Sequence, residues 1–447
     1  MQNRYFRILF ILGLSLRLFL AFYNRSANDD HVGVISIILK EGRVPERNEC
    51  WSCYQPKLFY IINAVIDKVL AIESQDNWIL IAQLLNVFVV AFALYCIGNF
   101  IHNKVQNQKL KYAIWALVIF NPCFTGISIQ GTNDTFVISF GILAYYFYDQ
   151  YVQKLTQRYF YYTLLFVLLA IWSKASGWIV AGTIVMHYCY LLFSGYIKLF
   201  EVKWNLVVSA LGLVLMVYIG GYWTNWTKHN SDSLSTWNKA PAAKFFEIDS
   251  YGGRPGVLSL WDAFFSFRYV DMIQQPYINN DLDGYPLHRT SHWSQLYGRT
   301  FFAHFDQWPP AWQSQHRNIV FAGRVLLTLA ILPLILFLSG IYQSLKTGLL
   351  ALKNKTLNTY LVTEGIFIIG TIAFLAASVK YSMDYRDFSA MKSIYIFPGL
   401  LLYIYLLIRG VNQIKVNWLQ RGVLVVLWIL VLFSIYDVLF LAQQLYS

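Results

Sequence analysis

At 447 residues, with 57% hydrophobic and only 13% charged residues and a mean hydropathy of +0.45, the chain carries more apolar surface than a water-soluble fold can bury. It reads as a polytopic membrane protein. The formal net charge of +12 is spread thinly through loops instead of forming a basic arm, so it argues for membrane topology and against a nucleic-acid partner.

Taken in chain order, the first apolar run, 5–23, is followed by no small-residue cleavage site and is predicted to be retained as a first helix. Further runs long enough to span lie near 78–101, 112–129, 135–150, 159–173, 178–197, 204–224, 318–344, 358–378, 393–408 and 422–443. The segment 57–73 is ambiguous, because Asp67 and Lys68 stand in its middle. If it does not cross, the cytoplasmic segments hold Arg4, Arg7, Lys104, Lys109, Lys111, Lys154, Arg158, Lys198, Lys203, Lys346, Lys353, Lys355, Arg409, Lys415 and Arg421, fifteen bases against the two acids Asp149 and Glu201. If it crosses, thirteen of those cations move outside. The positive-inside bias therefore predicts an amphipathic helix lying on the outer face, with the N-terminus inside.

The expected fold is an all-α polytopic bundle of about eleven transmembrane helices with outer-face juxtamembrane helices and a larger extracytoplasmic loop domain. Its predicted parts are an N-terminal membrane module over 1–224, whose first outer loop is 24–77, a loop domain over 225–317, and a C-terminal membrane module over 318–447. The 225–317 segment balances eight acids with eight bases and is too long for a simple connector. No internal repeat is apparent, which weighs against a transporter built from inverted repeats.

Two adjacent carboxylates, Asp29 and Asp30, sit at the lip of the first span. Carboxylates are costly there unless they serve a water-filled site. One is assigned as N-cap of the helix that starts at His31, and the other as a general base. His31 takes a supporting role. Cys50 and Cys53 share a loop, but no second pair or βαβ pattern accompanies them, so a structural disulfide outweighs a zinc or thioredoxin-like reading. The other cysteines, Cys96, Cys123 and Cys189, fall in apolar runs. Lys57 opens the amphipathic helix, either snorkelling or binding a lipid phosphate.

Asp134, in Asn133-Asp134-Thr135, is either a further N-cap or a pocket residue on the same side as Asp29 and Asp30. Lys174, Arg386 and Lys392 also reach outer ends of their segments, and cations converging on these carboxylates would suit a phosphorylated substrate. In the loop domain, His292, Trp293 and Tyr297 offer aromatic faces for an acceptor or sugar, although interface belts look the same. His288 and His292 are four residues apart but lack a third ligand. No metal or other cofactor is expected, a divalent ion being considered and not favoured.

An acidic pair after the first helix, a Tyr-x-Pro-Lys helix that stays outside (Tyr54, Pro56, Lys57), and a late Arg-x-Phe-x-x-x-Lys (Arg386, Phe388, Lys392) resemble the GT-C superfamily of membrane glycosyltransferases. Within it the chain is most similar to the protein mannosyltransferase and aminoarabinose transferase branch. The resemblance implies transfer of a sugar from a polyprenyl-phosphate carrier, with the base at Asp29 or Asp30 and the phosphate grip at Lys57, joined by Arg386. The acidic pair is Asp-Asp where that branch has Asp-Glu, and the lysine follows the proline. An inverting glycosyltransferase is expected, acting outside a bacterial inner membrane in preference to an endoplasmic reticulum membrane, on an acceptor left open as protein, lipid or glycan. The rival from another class is a transporter or flippase of lipid-linked sugars.

Overall fold

The computed structural model describes residues 4–24, 31–228, 260–276, 291–306, 317–385 and 392–443. Among them every regular element is helical. The chain runs α1 (Arg4–Tyr23), α2 (His31–Glu41), α3 (Leu58–Val69), α4 (Gln75–Lys104), α5 (Gln108–Ile119), α6 (Pro122–Ser128), α7 (Asp134–Lys154), α8 (Gln157–Ser173), α9 (Gly177–Phe193), α10 (Leu199–Ile219) and α11 (Tyr222–Lys228). It continues through α12 (Leu260–Phe265), α13 (Tyr269–Gln274), α14 (His292–Phe301), α15 (Arg317–Leu329), α16 (Ile331–Lys353), α17 (Leu357–Tyr385), α18 (Leu400–Val411) and α19 (Asn417–Gln443).

Ten of the eleven predicted spans fall on one of these helices or on a consecutive pair, whereas 393–408 passes through two short 3-10 turns and becomes α-helical only from Leu400. By length and apolarity alone, six segments among the described residues can cross a bilayer, or seven if the bent pair α5–α6 counts as one. The bundle is thus multi-pass, while the count of eleven depends on including the shorter or more polar helices. α7 explains part of the difference. It is buried along most of its length and forms the axis of the bundle, packed against α4, α8, α9 and α18. An interior helix can carry hydroxyls and carboxyls that a lipid-facing one cannot, because neighbouring helices satisfy them. Tyr145 bonds Thr183 Oγ1 at 2.6 Å, and Tyr148 bonds His187 Nδ1 at 2.8 Å.

The α5–α6 pair bends by 45°, and the residue after the break is Pro122, at the first position of α6. A break at membrane depth frees backbone carbonyls that water cannot reach. Arg17 on α1 meets them: Nη1 donates to Ile119 O at 2.8 Å and to Gly13 O at 3.1 Å, and Nε donates to Ser128 Oγ at 2.9 Å. Its guanidinium also lies 5.5 Å from the Phe124 ring centroid. A charge at a helix C-terminus is placed where the helix dipole favours it.

Elsewhere α16 and α18 cross with backbones touching. A Cβ at Gly340 would lie 1.8 Å from Leu406 O and one at Gly410 would lie 1.9 Å from Leu336 O, so glycine is required on both sides of the crossing. At the end of the bundle remote from the start of α7, Lys104 pairs with Asp149 at 3.3 Å and Arg409 with Glu364 at 3.3 Å. Those bonds tie α4 to α7 and α18 to α17.

α3 covers most of the ambiguous segment. Twelve residues of α-helix reach only about 18 Å, short of a hydrocarbon core of about 30 Å. Its inward face holds Phe59, Tyr60, Asn63, Ala64 and Asp67, while Val65, Val69 and Leu70 point outward. Its buried face is mostly apolar apart from Asn63 and Asp67, and its exposed face carries Lys68 beside Val65, Val69 and Leu70, a composition that suits a helix lying along a membrane. Asp67 is wholly buried, and neither of its carboxylate oxygens has a hydrogen-bond partner among the described residues. Burial pushes its pKa up to about 6.

An unfolded aspartate titrates at about 3.9. The folded state therefore holds an extra proton between about pH 4 and about pH 6, and stability falls as pH rises through that window. Asp67→Asn is expected to abolish the fall. In detergent, its thermal midpoint should exceed that of the unsubstituted chain by a few degrees at about pH 7 and match it at about pH 4; equal midpoints at both would show that Asp67 is not strained by burial.

Candidate functional site

The turn that feeds α3 is shaped by a disulfide between Cys50 and Cys53, which brackets a short 3-10 turn over Trp51–Tyr54. Lys57 folds back so that its ammonium donates to the Cys53 carbonyl. The side chain is buried, and burial pushes its pKa down to about 8, with Glu49 opposing. Two residues earlier, Gln55 Oε1 accepts a hydrogen bond from Asn133 Nδ2 at 2.5 Å, and the same amide donates to Ser173 O at 2.9 Å. One asparagine thus joins the turn before α3, the start of α7 and the end of α8.

Behind that junction runs a line of buried polar groups. Tyr60 Oη and His31 Nδ1 are 2.7 Å apart, and His31 Nε2 lies 3.1 Å from Thr132 Oγ1. The Thr132 hydroxyl donates to Asp134 Oδ2 at 3.2 Å. Asp134 Oδ1 accepts from Lys174 Nζ at 2.5 Å. Tyr395 closes the line, with its ring centroid 5.6 Å from the Lys174 ammonium, a distance at which the ring face attracts a cation. The loop that carries Thr132 is itself fixed by Asn86 of α4, whose Nδ2 donates to Thr132 O at 2.9 Å and to Gln130 O at 2.5 Å.

Three of the residues singled out from the sequence therefore come together. His31, Asp134 and Lys174 share one hydrogen-bonded line, while Lys57 lies on the neighbouring turn, whose Gln55 is bonded to Asn133. Lys392 is half-buried and precedes the Ser393–Tyr395 turn, three residues from the ring that meets Lys174. Asp29, Asp30 and Arg386 lie outside the described residues. The sequence reading missed Tyr60, Gln55, Thr132, Asn133 and Tyr395. Thr132 and Asn133 had a signal, a polar triplet before an apolar run, whereas nothing set Tyr60 or Tyr395 apart from the other tyrosines.

The three aromatic residues expected to face a sugar or acceptor turn their polar atoms to other parts of the protein. His292 is wholly buried between Ser382 Oγ, 3.1 Å from Nδ1, and Ser378 Oγ, 3.2 Å from Nε2. Trp293 Nε1 donates to Phe264 O at 2.7 Å, and the Tyr297 hydroxyl donates to Leu327 O at 2.5 Å. His292 and Tyr297 dock α14 onto α17 and α15, Trp293 ties it to α12, and His304 joins the following turn to α19 through Asp437 at 2.5 Å. Among the described residues no group of three or more His, Cys, Asp or Glu side chains converges as a metal site would require.

Residues 56–222 match the sequence family described as dolichyl-phosphate-mannose-protein mannosyltransferase. The matched block contains Lys57, Tyr60, Thr132, Asp134 and Lys174. None of the curated proteins matches the chain. Among solved structures, the chain is similar to the apo form of the oligosaccharyltransferase of Archaeoglobus fulgidus, with 11% identity and a TM-score of 0.53, covering 99% of this chain and 56% of that one. ArnT from Cupriavidus metallidurans bound to undecaprenyl phosphate is also similar, with 11% identity and a TM-score of 0.36, covering 91% of this chain and 77% of that one. The chain thus spans about 56% of the length of the oligosaccharyltransferase that it matches. The sequence family matches less than half of the chain, and the likeness to the oligosaccharyltransferase is one of fold.

Lys57 is a cation below about pH 8 and neutral above it. An anion that it holds should lose about tenfold in affinity between about pH 7 and about pH 9, as the charged fraction falls. Titrating undecaprenyl phosphate into the protein in nanodiscs measures this. Lys57→Arg should flatten the dependence, because a guanidinium stays charged; an unchanged profile would remove Lys57 from the anion's surroundings.

Proposed function

We propose that this GT-C chain transfers a sugar from a polyprenyl-phosphate donor to an acceptor hydroxyl at the outer surface of the membrane, with inversion at the anomeric carbon. A carboxylate of Asp29 or Asp30 takes the proton of the acceptor hydroxyl. The acceptor oxygen forms a bond to the anomeric carbon, and the carbon–oxygen bond to the phosphate breaks, its electron pair leaving with the lipid phosphate. Lys57 and Lys174 stabilise the charge that builds on that phosphate, with Arg386 and Lys392 as further cations. In this scheme lysines and arginine neutralise the leaving group without a metal ion. The acceptor is proposed by class only, as a hydroxyl of a protein, lipid or glycan.

One observation carries the reading. The hydrogen-bonded line that ends in the Asp134–Lys174 pair begins at His31 and Tyr60, and His31 is joined to Asp30 by a peptide bond. The acidic pair is tethered directly to the cluster that contains a carboxylate-bound lysine and, through Asn133, to the turn of Lys57. The match of residues 56–222 to a mannosyltransferase family supports the same chemistry. A bacterial inner membrane is favoured as the location, with the site extracytoplasmic by the positive-inside bias.

The rival, a transporter or flippase of lipid-linked sugars, needs access from both sides in turn. The two ion pairs at the far end of the bundle, Lys104–Asp149 and Arg409–Glu364, favour the enzyme, because opening that end would separate partly buried charges at a cost of several kcal/mol each.

The purified chain incubated with a panel of radiolabelled polyprenyl-phosphate sugars should release lipid phosphate and label an acceptor. Asp29→Asn with Asp30→Asn is expected to abolish transfer while leaving expression intact, and full activity in that variant would remove the proposed base. Transfer should persist in EDTA, and its loss would show that a metal shares the work assigned to the cations. Movement of lipid-linked sugar across vesicles by the Asn variant would favour the rival.

A further inference from the structure

Within the buried line behind the site, the hydroxyl of Thr132 has its bonding capacity filled. A threonine hydroxyl has one proton to donate and two lone pairs to accept with. Its proton goes to Asp134 Oδ2 at 3.2 Å, because an ionised carboxylate only accepts. One lone pair receives the backbone N–H of Asp134 at 3.3 Å. The other faces His31 Nε2 at 3.1 Å. With the only proton of the hydroxyl committed, this last contact is a hydrogen bond only if His31 carries a proton on Nε2. The partner that commits the proton is itself held, since Asp134 Oδ1 takes Lys174 Nζ at 2.5 Å.

We infer that Thr132 is a positioning residue that keeps a proton on Nε2 of the His31 imidazole and aims Nδ1 at the Tyr60 hydroxyl, 2.7 Å away. Tyr60 lies on the inward face of α3, so the imidazole bridges α3 and the start of α7. Thr132, His31 and Tyr60 are all wholly buried or nearly so, and in such surroundings an imidazole without a proton on Nε2 would set a lone pair against a lone pair of the Thr132 oxygen. His31 is also the first residue of α2, covalently next to Asp30. Thr132 therefore anchors the end of the segment that bears the acidic pair, and it does so through one hydroxyl. None of this needs Thr132 to touch a substrate.

The consequence for catalysis rests on the glycosyl-transfer reading, whereas the protonation state of His31 does not. Two variants separate the hydroxyl from its shape: Thr132→Val keeps the volume and removes the oxygen, and Thr132→Ser keeps the oxygen. The full chain, labelled with 15N-histidine and placed in nanodiscs, gives ring-nitrogen resonances from which tautomers are read, the His31 signals being those absent in His31→Gln. The unsubstituted chain and Thr132→Ser should show His31 protonated on Nε2, and Thr132→Val should shift it to the Nδ1–H form or a mixture. The same Nε2–H state in Thr132→Val, or an Nδ1–H state in the unsubstituted chain, overturns the assignment.

With a donor that supports transfer, Thr132→Val should lower kcat about tenfold or more, as expected when a base loses its alignment, and Thr132→Ser should restore it. An undiminished kcat in Thr132→Val would overturn the positioning role. If no donor supports transfer, the glycosyl-transfer reading fails while the nitrogen resonances still decide the assignment of His31.

Discussion

The Asp134–Lys174 pair is the constraint around which the rest of the site is arranged. An isolated ionised side chain at the head of a buried helix would cost several kcal/mol in desolvation, so each of these groups can be placed there only if the other is present. Asp134 starts α7 and Lys174 follows the last residue of α8, so the pair also closes the helical hairpin that forms the centre of the bundle. With the carboxylate held on one oxygen, its second oxygen orients Thr132, and Thr132 meets His31. The Asn133 amide extends the junction to Gln55 and so to the turn that presents Lys57.

Polar groups are used differently along the bundle. At the end away from the site, two ion pairs bind helices to one another. In the middle, hydroxyls on α7 find partners on α9, and Arg17 occupies the break between α5 and α6. On the outer side, His292 and His304 fasten α14 and the turn after it to α17 and α19. All of these groups have their main contacts within the protein. Those at the head of α7 differ in being gathered into one connected line, from Tyr60 through His31, Thr132 and Asp134 to Lys174.

Much of this was legible in the sequence, for reasons that can be named. The status of α3 followed from the sign of the charges it would relocate, a physical bias of membrane insertion, and its short length agrees. Asp134 and Lys174 stood out because charges at the ends of apolar runs are few. Thr132 could not be ranked above other threonines, since its role depends on a carboxylate two residues on and an imidazole 101 positions away. The aromatic stretch from His292 to Tyr297 misled in the opposite direction. Aromatic residues with polar tips suit a sugar face and a packed helix equally well, and only the partners of those tips separate the two. The number of spans was similarly open, because α7 takes its burial from neighbours and not from its own hydropathy.

The exposed side of α3 has a mechanical consequence. Val65, Val69 and Leu70 lie outward beside Lys68, while Tyr60, Asn63 and Asp67 are held inside. Because Lys57 is the N-cap of this helix and Tyr60 lies in its first turn, any force on the exposed side is delivered to both at once. If the glycosyl-transfer proposal holds, a change in bilayer thickness would then act on turnover without any ligand.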